Sequence, residues 1–488
     1  MSTSVSFARR PFADLPSLGT VGVVSAIAAA GLAISIRFGP FALYGLLLFC
    51  LLTLLAYARL EGMVIAFVVV SILVPIDVAV TIGALPRIGP TRILFAAVAI
   101  GWFLREIFVR RAHAGKRFPL IGFFSLYAGA VLISAAMSPN SARSLYGASN
   151  ELFEVLLPFY ILVTCFRRPG FWPRLKTALF VTTALACLLS FYEEITHSVL
   201  YLSFYPPDDL PIRGNLLRVR AFFYHPIAFG CFLALVVPFV VADLIETRSF
   251  RRKIMLSALI GAMMVSAFLT VSRGPLFAFL MEIALFVFVG CRARFQRTIL
   301  ALLGAGALLV GGFLLYETNS TTHQSLQSLL NPSQVSLVQV DEESSEYYRI
   351  ALLKAVVDRL EGANWIYGLG PGTFYISDVT SEYAGQDHVL VAADSLYLRS
   401  LLELGILGTA ALILLMVQTI RVCVSGLHTR RGPRNVLALA AVSSVLGFVF
   451  TNLTVSMFSL WPLALLFWVS PALVLTFPRQ NRTTINNV

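Results

Sequence analysis

Polar and apolar positions in this chain alternate on a long scale. Apolar residues run on for roughly 17 to 23 positions at a time, the length that carries a helix across a hydrocarbon core of about 30 Å, and short polar or basic stretches break them. Fourteen such runs are legible, at about 19–36, 41–57, 62–83, 93–109, 118–136, 152–166, 177–193, 222–243, 254–272, 275–290, 298–316, 401–420, 436–453 and 459–476. The pattern predicts an all-α fold, a polytopic membrane helical bundle of about 12–14 transmembrane helices. One polar region keeps a shorter period. From Glu346 to Leu360 the apolar residues Ile350, Leu353, Val356, Val357 and Leu360 recur at helical spacing among Arg349, Lys354 and Asp358. That spacing predicts an amphipathic helix lying on the membrane or on the bundle. Beyond it, Gly368-Leu369-Gly370-Pro371-Gly372 predicts a tight turn.

The basic residues orient the spans. Arg110-Arg111 with Lys116-Arg117, Arg167-Arg168 with Arg174 and Lys176, Arg251-Arg252-Lys253, the group Arg292, Arg294 and Arg297, and Arg421, Arg430, Arg431 and Arg434 all fall on the same side as Arg9-Arg10. The positive-inside rule makes that side cytoplasmic, with both termini inside and the first span an uncleaved anchor. The opposite, periplasmic face then carries two substantial loops, about 194–221 and 317–400, the second holding the amphipathic helix.

Composition agrees with a membrane protein. The chain is 58% hydrophobic and 13% charged, against about 25% charged for a soluble domain. Its formal net charge of +12 sits in short loops between spans; a basic surface with interleaved aromatics for nucleic acid is absent. The six cysteines lie in or beside apolar runs and suggest neither a disulfide framework nor a zinc site.

The candidate chemistry gathers on the periplasmic side. Arg220 precedes the eighth span, Arg273 closes the ninth, Asp394 and Arg399 precede the twelfth, and Arg349 lies in the large loop. Arginine suits a diphosphate because its planar fork donates paired hydrogen bonds and stays charged. The plain alternative is that such arginines snorkel to lipid headgroups. Arg273, tight against Thr270, Ser272 and Gly274, fits a topology signal poorly. Asp394-Ser395 reads equally as a helix N-cap and as a general base with its neighbour. His225 before Pro226 and His388 before Asp394 are further candidates, with His388 a rival base. Glu282 and Asp77 fall within spans, where a carboxylate is costly unless paired or neutral. No Asp-x-Asp pair occurs, so a metal-free site is expected, with no cofactor.

Four segments resemble the O-antigen ligase and polymerase superfamily of bacterial envelope glycan assembly: RAFFYHPIAFGCFLALVVPF from Arg220, LTVSRGPLFAFL from Leu269, YYRIALLKAVVDRLEGANWIYGLGPGTF from Tyr347 and DSLYLRSLLELGILG from Asp394. The resemblance implies an inner-membrane glycosyltransferase. It would take an undecaprenyl-diphosphate-linked oligosaccharide donor and a glycan or lipid-linked acceptor, act at the periplasmic face without a metal, and work among membrane lipids and other polysaccharide assembly proteins. It implies that Arg220 and Arg273 engage the diphosphate; both are expected to be catalytic together with Asp394, and Arg349, Arg399, His225, Ser272 and His388 are expected to bind substrate. In the ligases a histidine stands before Asn, Ser or Gln, nine residues, Gly, two residues and Gly. This chain keeps the spacing through Ser395, Gly405 and Gly408 but has Asp394 in the histidine's place. That favours a polymerase of exopolysaccharide or O-antigen repeat units, or a ligase for another acceptor. The domains expected are N-terminal spans over 1–214, a catalytic region over 215–420 and C-terminal spans over 421–488. A lipid-linked oligosaccharide flippase or other secondary transporter would instead expect charges lining a cavity and duplicated halves, and no internal repeat is visible. A non-catalytic scaffold for envelope assembly is the third reading.

Overall fold

Backbone in hydrocarbon has no water to pair with, so the apolar runs fold as helices that satisfy their own N–H and C=O groups. The computed structural model describes residues 40–75, 78, 89–108, 119–200, 212–213, 216–286, 289, 345–374, 380–383, 386–389, 395–429, 433–459 and 461–476. The helices are α1 (Pro40–Ala58), α2 (Leu60–Leu73), α3 (Pro90–Phe108), α4 (Ile121–Met137), α5 (Ser141–Ser149), α6 (Leu157–Phe166), α7 (Phe171–Thr196), α8 (Pro226–Glu246), α9 (Phe250–Leu269), α10 (Arg273–Leu285), α11 (Ser345–Arg359), α12 (Asn364–Tyr367), α13 (Leu396–Thr429), α14 (Pro433–Thr451) and α15 (Trp461–Thr476). Two antiparallel hairpins join them, β1 (Ile212–Arg213) with β2 (Leu216–Leu217) and β3 (Thr380–Tyr383) with β4 (Gln386–Val389). This is an all-α polytopic membrane bundle. Among the described residues, five continuous helical stretches are long and apolar enough to cross a membrane: Ser141–Phe166, Phe171–Thr196, Pro226–Glu246, Phe250–Leu269 and Leu396–Leu427. The expected spans 19–36 and 298–316 lie outside the described residues.

The chain divides into two units, one of residues 1–64 with 92–116 and one of 65–91 with 117–488. In the first, α1 and α3 approach closely where Gly101 leaves room for Ala56 and the Tyr57 backbone. The second holds every described candidate residue. Its centre is α8, which packs against α9, α10 and α14 and is buried on all sides from Ala228 to Asp243 apart from its ends. Such an all-round apolar helix belongs in a bundle interior. Helix α13 packs between α4 and α14, and α15 lies against α6.

Opposite ends of this unit differ in character. At one end Asp243 of α8 pairs with Lys176 of α7 and accepts from Arg252 of α9 at 2.6 Å. Ser249 caps α9 there by accepting from the Arg252 amide. At the other end lie the α7–α8, α9–α10 and α14–α15 connections and the start of α13. Each antiparallel helix carries the chain from one end to the other, so Arg251, Arg252 and Lys253 stand a full helix length from Arg273.

Two departures from helical regularity and the docking of one amphipathic helix shape the second end. A π-helical segment, Asn150–Leu156, links α5 to α6. It leaves the Val155 carbonyl free to accept from the indole N–H of buried Trp468, at 2.6 Å. The ninth run was expected to continue through 272, but α9 stops at Leu269 and a sharp turn delivers Arg273 to the first position of α10. The amphipathic helix forms as α11, yet its buried face is Leu352, Ala355, Val356 and Leu360, packed on Phe374 and Leu402, while Leu353 and Val357 are exposed. Both stripes are apolar in sequence; contact with the start of α13 selects one of them.

Candidate functional site

A strap from Arg218 to Tyr224, extended as far as Arg220 and turned from Ala221 onward, leads into α8. Burial alternates along it, with Val219, Ala221 and Phe223 inward. This period of two leaves Arg218 and Arg220 on the same side of the strap. Phe223 packs against Phe229 and Phe232 at ring separations of 5.7 and 5.1 Å, which fixes the strap to the α8 surface. Beneath it lies Glu193, fully buried near the end of α7. One of its carboxylate oxygens accepts from the backbone amides of Arg220 and Ala221, each at 2.9 Å.

The strap lies along the α9–α10 turn. The Val219 amide donates to the Leu269 carbonyl at 3.2 Å. The Arg218 guanidinium donates to the Thr270 carbonyl at 3.2 Å and to the Ser272 hydroxyl at 3.0 Å. Ser272 in turn donates to the Thr270 carbonyl at 3.0 Å. Arg218, Arg220 and Arg273 are thus carried on two adjoining backbone segments, with Arg273 exposed. Left-handed backbone at Ala221 (φ 48°) and Val271 (φ 49°) shapes both segments. Such strain costs on the order of 1–3 kcal/mol per residue, and it concentrates at functional sites.

Residues 451–457 bridge this cation cluster to the start of α13. Gly274 lies so close to Thr454 that a side chain there would overlap the Thr454 hydroxyl. From the same connection, the Asn452 carbonyl accepts from the Leu396 amide at 3.0 Å. Ser395 caps α13, its hydroxyl accepting from the Leu398 amide at 3.4 Å. The three separated sequence pieces, Arg220 to Pro226, Ser272 to Gly274 and Ser395 to Gly408, therefore meet at one end of the bundle.

Arg399 points inward. It is 9% exposed and donates to Glu403 at 3.2 Å and to Ser456 at 3.5 Å, with Glu151 of the π-helical segment 3.8 Å away. Tyr127 donates to Glu151 at 3.1 Å, and Glu403 accepts from the Phe374 amide at 3.2 Å. This arginine, expected to bind substrate, ties α13 to the π-helical segment and the 451–457 connection, and through Glu151 and Tyr127 to α4. Its charge is already matched by carboxylates.

The glycine-rich turn docks on a break in α13. Gly405 has φ 65° and ψ −167°, which interrupts the helical ladder. The freed carbonyls of Leu402 and Glu403 accept from the amides of Leu369 and Gly370, both at 2.9 Å, and Ser134 donates to Glu403 at 2.6 Å.

His225 is the N-cap of α8. Its Nδ1 accepts from the Ile227 amide at 3.2 Å. That bond leaves the ring proton of the neutral form on Nε2. Burial pushes its pKa down to about 4, with Arg218 and Arg220 lowering it further. In the unfolded chain the value is about 6.5. The depressed folded value means that the cap's contribution is present above pH 6.5 and falls away as pH drops towards 4. The stability lost by His225→Asn, which keeps a capping side chain without the titration, should therefore shrink or reverse as pH is lowered from 7 to 4 in thermal melts. A difference independent of pH would contradict this.

Ser272 is buried and held by Arg218. Arg349 is placed on α11 and His388 on β4, opposite Ser381; neither is placed by any described contact at the cation cluster. Asp394 lies outside the described residues, immediately before the Ser395 cap. Among intramembrane carboxylates, Glu282 is buried beside Gly447, and Asp77 is outside the described residues. Sequence reasoning missed Arg218, Glu193, Glu151, Glu403 and the 451–457 connection. The alternation Arg218-Val219-Arg220-Ala221 was a readable signal for the first, and the four-residue spacing of Arg399 and Glu403 for Glu403; the partners of Glu193, Glu151 and the 451–457 connection lie farther away in sequence.

A family model described as O-Antigen ligase matches residues 258–413, from within α9 to within α13. The match takes in Ser272, Arg273, Arg349, Asp394, Arg399 and Gly405 and starts after the strap. No curated protein matches the chain.

Proposed function

We propose, from the match of residues 258–413 to the O-Antigen ligase family, that the chain is an inner-membrane glycosyltransferase that transfers or polymerises glycan repeat units from undecaprenyl diphosphate at the periplasmic face. The observation that supports this most is the meeting of Arg218, Arg220 and Arg273 with the capped start of α13 at the bundle end opposite the Lys176–Asp243–Arg252 cluster. Three guanidiniums on two adjoining segments suit two linked phosphates, with Arg218 holding the frame and Arg220 and Arg273 meeting the ligand. His225 adds a neutral N–H donor from Nε2 beside them.

In the reaction, an acceptor hydroxyl attacks the anomeric carbon of the donor sugar. The carbon–oxygen bond to phosphate breaks, and undecaprenyl diphosphate leaves with the bonding electrons. Asp394 takes the proton of the hydroxyl. Arg220 and Arg273 compensate the charge gathering on the leaving phosphate, the kind of fixed electrostatic stabilisation that supplies much of enzymatic acceleration. Arg349 and His388, in the large loop, contact the glycan. A carboxylate base serves a polymerase or a ligase for an acceptor other than lipid A–core.

Purified protein supplied with a lipid-linked repeat unit should release undecaprenyl diphosphate and lengthen glycan. Arg220→Ala and Arg273→Ala should each lower turnover about 100-fold, the usual cost of one transition-state donor. In cells, Asp394→Ala should abolish long-chain polysaccharide and accumulate lipid-linked repeat units. Normal chain length in that variant would remove Asp394 from the mechanism. Passage of intact donor across vesicles without glycosyl transfer would replace the enzyme with a flippase.

A further inference from the structure

We propose that Glu193 is the positioning residue for the cation cluster, acting through backbone and not through substrate. This rests on the reading of Arg220 as a diphosphate ligand. Glu193 is fully buried, and a single carboxylate oxygen takes the consecutive amides of Arg220 and Ala221, each at 2.9 Å. Two successive N–H groups converging on one oxygen, with the second residue left-handed at φ 48°, form the concavity that backbone uses to bind anions. Here the anion is a side chain of α7, so the concavity is filled from within and faces away from any ligand.

Without that acceptor nothing in the strap's sequence would favour left-handed backbone at Ala221, since a residue with a Cβ avoids it. The turn at Ala221 sets where Arg220 leaves the strap and how the chain enters the His225 cap. On the other side, Val219 is tied to Leu269 and Arg218 to Thr270 and Ser272. The Arg220 backbone is therefore located by two independent anchors, one to the α9–α10 turn and one to α7, while its guanidinium donates to the Tyr224 carbonyl at 3.1 Å farther along the strap. The first also fixes Arg273, which follows Ser272 directly. Glu193 thus sets the spacing between Arg220 and Arg273, and its reach matters more than its charge.

Two substitutions separate reach from charge. Glu193→Gln keeps an oxygen at the same distance and removes the charge. Glu193→Asp keeps the charge and withdraws the oxygen by one methylene, about 1.5 Å. Both are read in the full-length protein in lipid nanodiscs, using a lipid-linked repeat unit as donor. Glu193→Gln should keep the donor KM within about threefold of the parent. Glu193→Asp should raise it roughly tenfold and lower kcat as well, because the displaced Arg220 is the group that stabilises the leaving phosphate. Amide hydrogen exchange over 218–224 should rise in Glu193→Asp alone, with 396–404 unaltered in both. Equal impairment of the two variants would overturn the proposal, as would a parental KM and parental exchange in Glu193→Asp. If no variant and no parent turns over the donor, the glycosyltransferase reading fails, and the exchange measurement still decides the role of Glu193.

Discussion

Arg399→Met is expected to destabilise the protein by about 3–5 kcal/mol, the range for removing one partner of a buried ion pair. The parent site holds one guanidinium between Glu403 at 3.2 Å and Glu151 at 3.8 Å, with side-chain exposures of 10% for Arg399, 3% for Glu403 and 13% for Glu151. Methionine fills much of the volume but leaves two carboxylates facing each other. Their remaining donors, Tyr127 and the Phe374 amide, are neutral and cannot offset that repulsion. The loss should appear as a lower melting midpoint and a smaller folded fraction in detergent. Arg399→Lys should recover little, because one ammonium cannot reach Glu403, Glu151 and Ser456 together as the guanidinium fork does. Neutralising the partners tests the cause: Arg399→Met combined with Glu151→Gln and Glu403→Gln should melt above Arg399→Met alone. A substrate-binding arginine would behave differently, its loss reducing donor binding with an unchanged melting midpoint. That outcome would return Arg399 to the ligand site.

Much of this architecture was legible in the sequence because hydrophobic length and helical spanning are linked by one physical demand, the pairing of backbone in lipid. The runs at 222–243 and 436–453 became α8 and α14 with shifts of a few residues. The charge pattern was equally readable: Lys176 and Arg252 do lie at the same bundle end, sharing Asp243. What failed to show was side-chain direction. Arg399 and Arg273 look alike in a string of letters, each near a span end, yet one is enclosed by carboxylates and the other exposed. Part of the difference comes from Glu403, four residues on, and part from Glu151, 248 positions away from Arg399 in the chain, on a π-helical segment that apolar periodicity does not signal. Ser272 is a similar case. Its place in the Ser272-Arg273-Gly274 motif suggested a ligand contact, while the structure uses it to hold Arg218. Motif spacing picked out three pieces that meet at one end of the bundle; it could not divide side chains that hold the frame from those that face outward.

The spacing from Ser395 to Gly405 has its own physical explanation, and Gly405→Ala is the substitution that exposes it. Gly405 combines φ 65° with ψ −167°, a region open essentially to glycine alone. Forcing alanine into it costs on the order of 1–3 kcal/mol, and the added Cβ would also overlap the Ile366 carbonyl. Overpacking of a close contact adds about 1–3 kcal/mol. The opposite wall is equally tight, since a Cβ on Gly368 would meet the Glu403 carbonyl. The two glycines allow the backbones of the 366–372 turn and α13 to touch, and that contact supplies the amides of Leu369 and Gly370 to the carbonyls freed by the break. Alanine at 405 should therefore release the turn as well as strain the helix. The expected result is a melting midpoint lowered at least as far as in Arg399→Met, with amide exchange rising over 366–374 and 400–406 together. Donor turnover should fall with it, because the first turns of α13 carry the Ser395 cap and the residue before it. An alanine variant that melts like the parent, or one in which only the 366–374 segment loosens, would show that the break in α13 does not depend on the glycine.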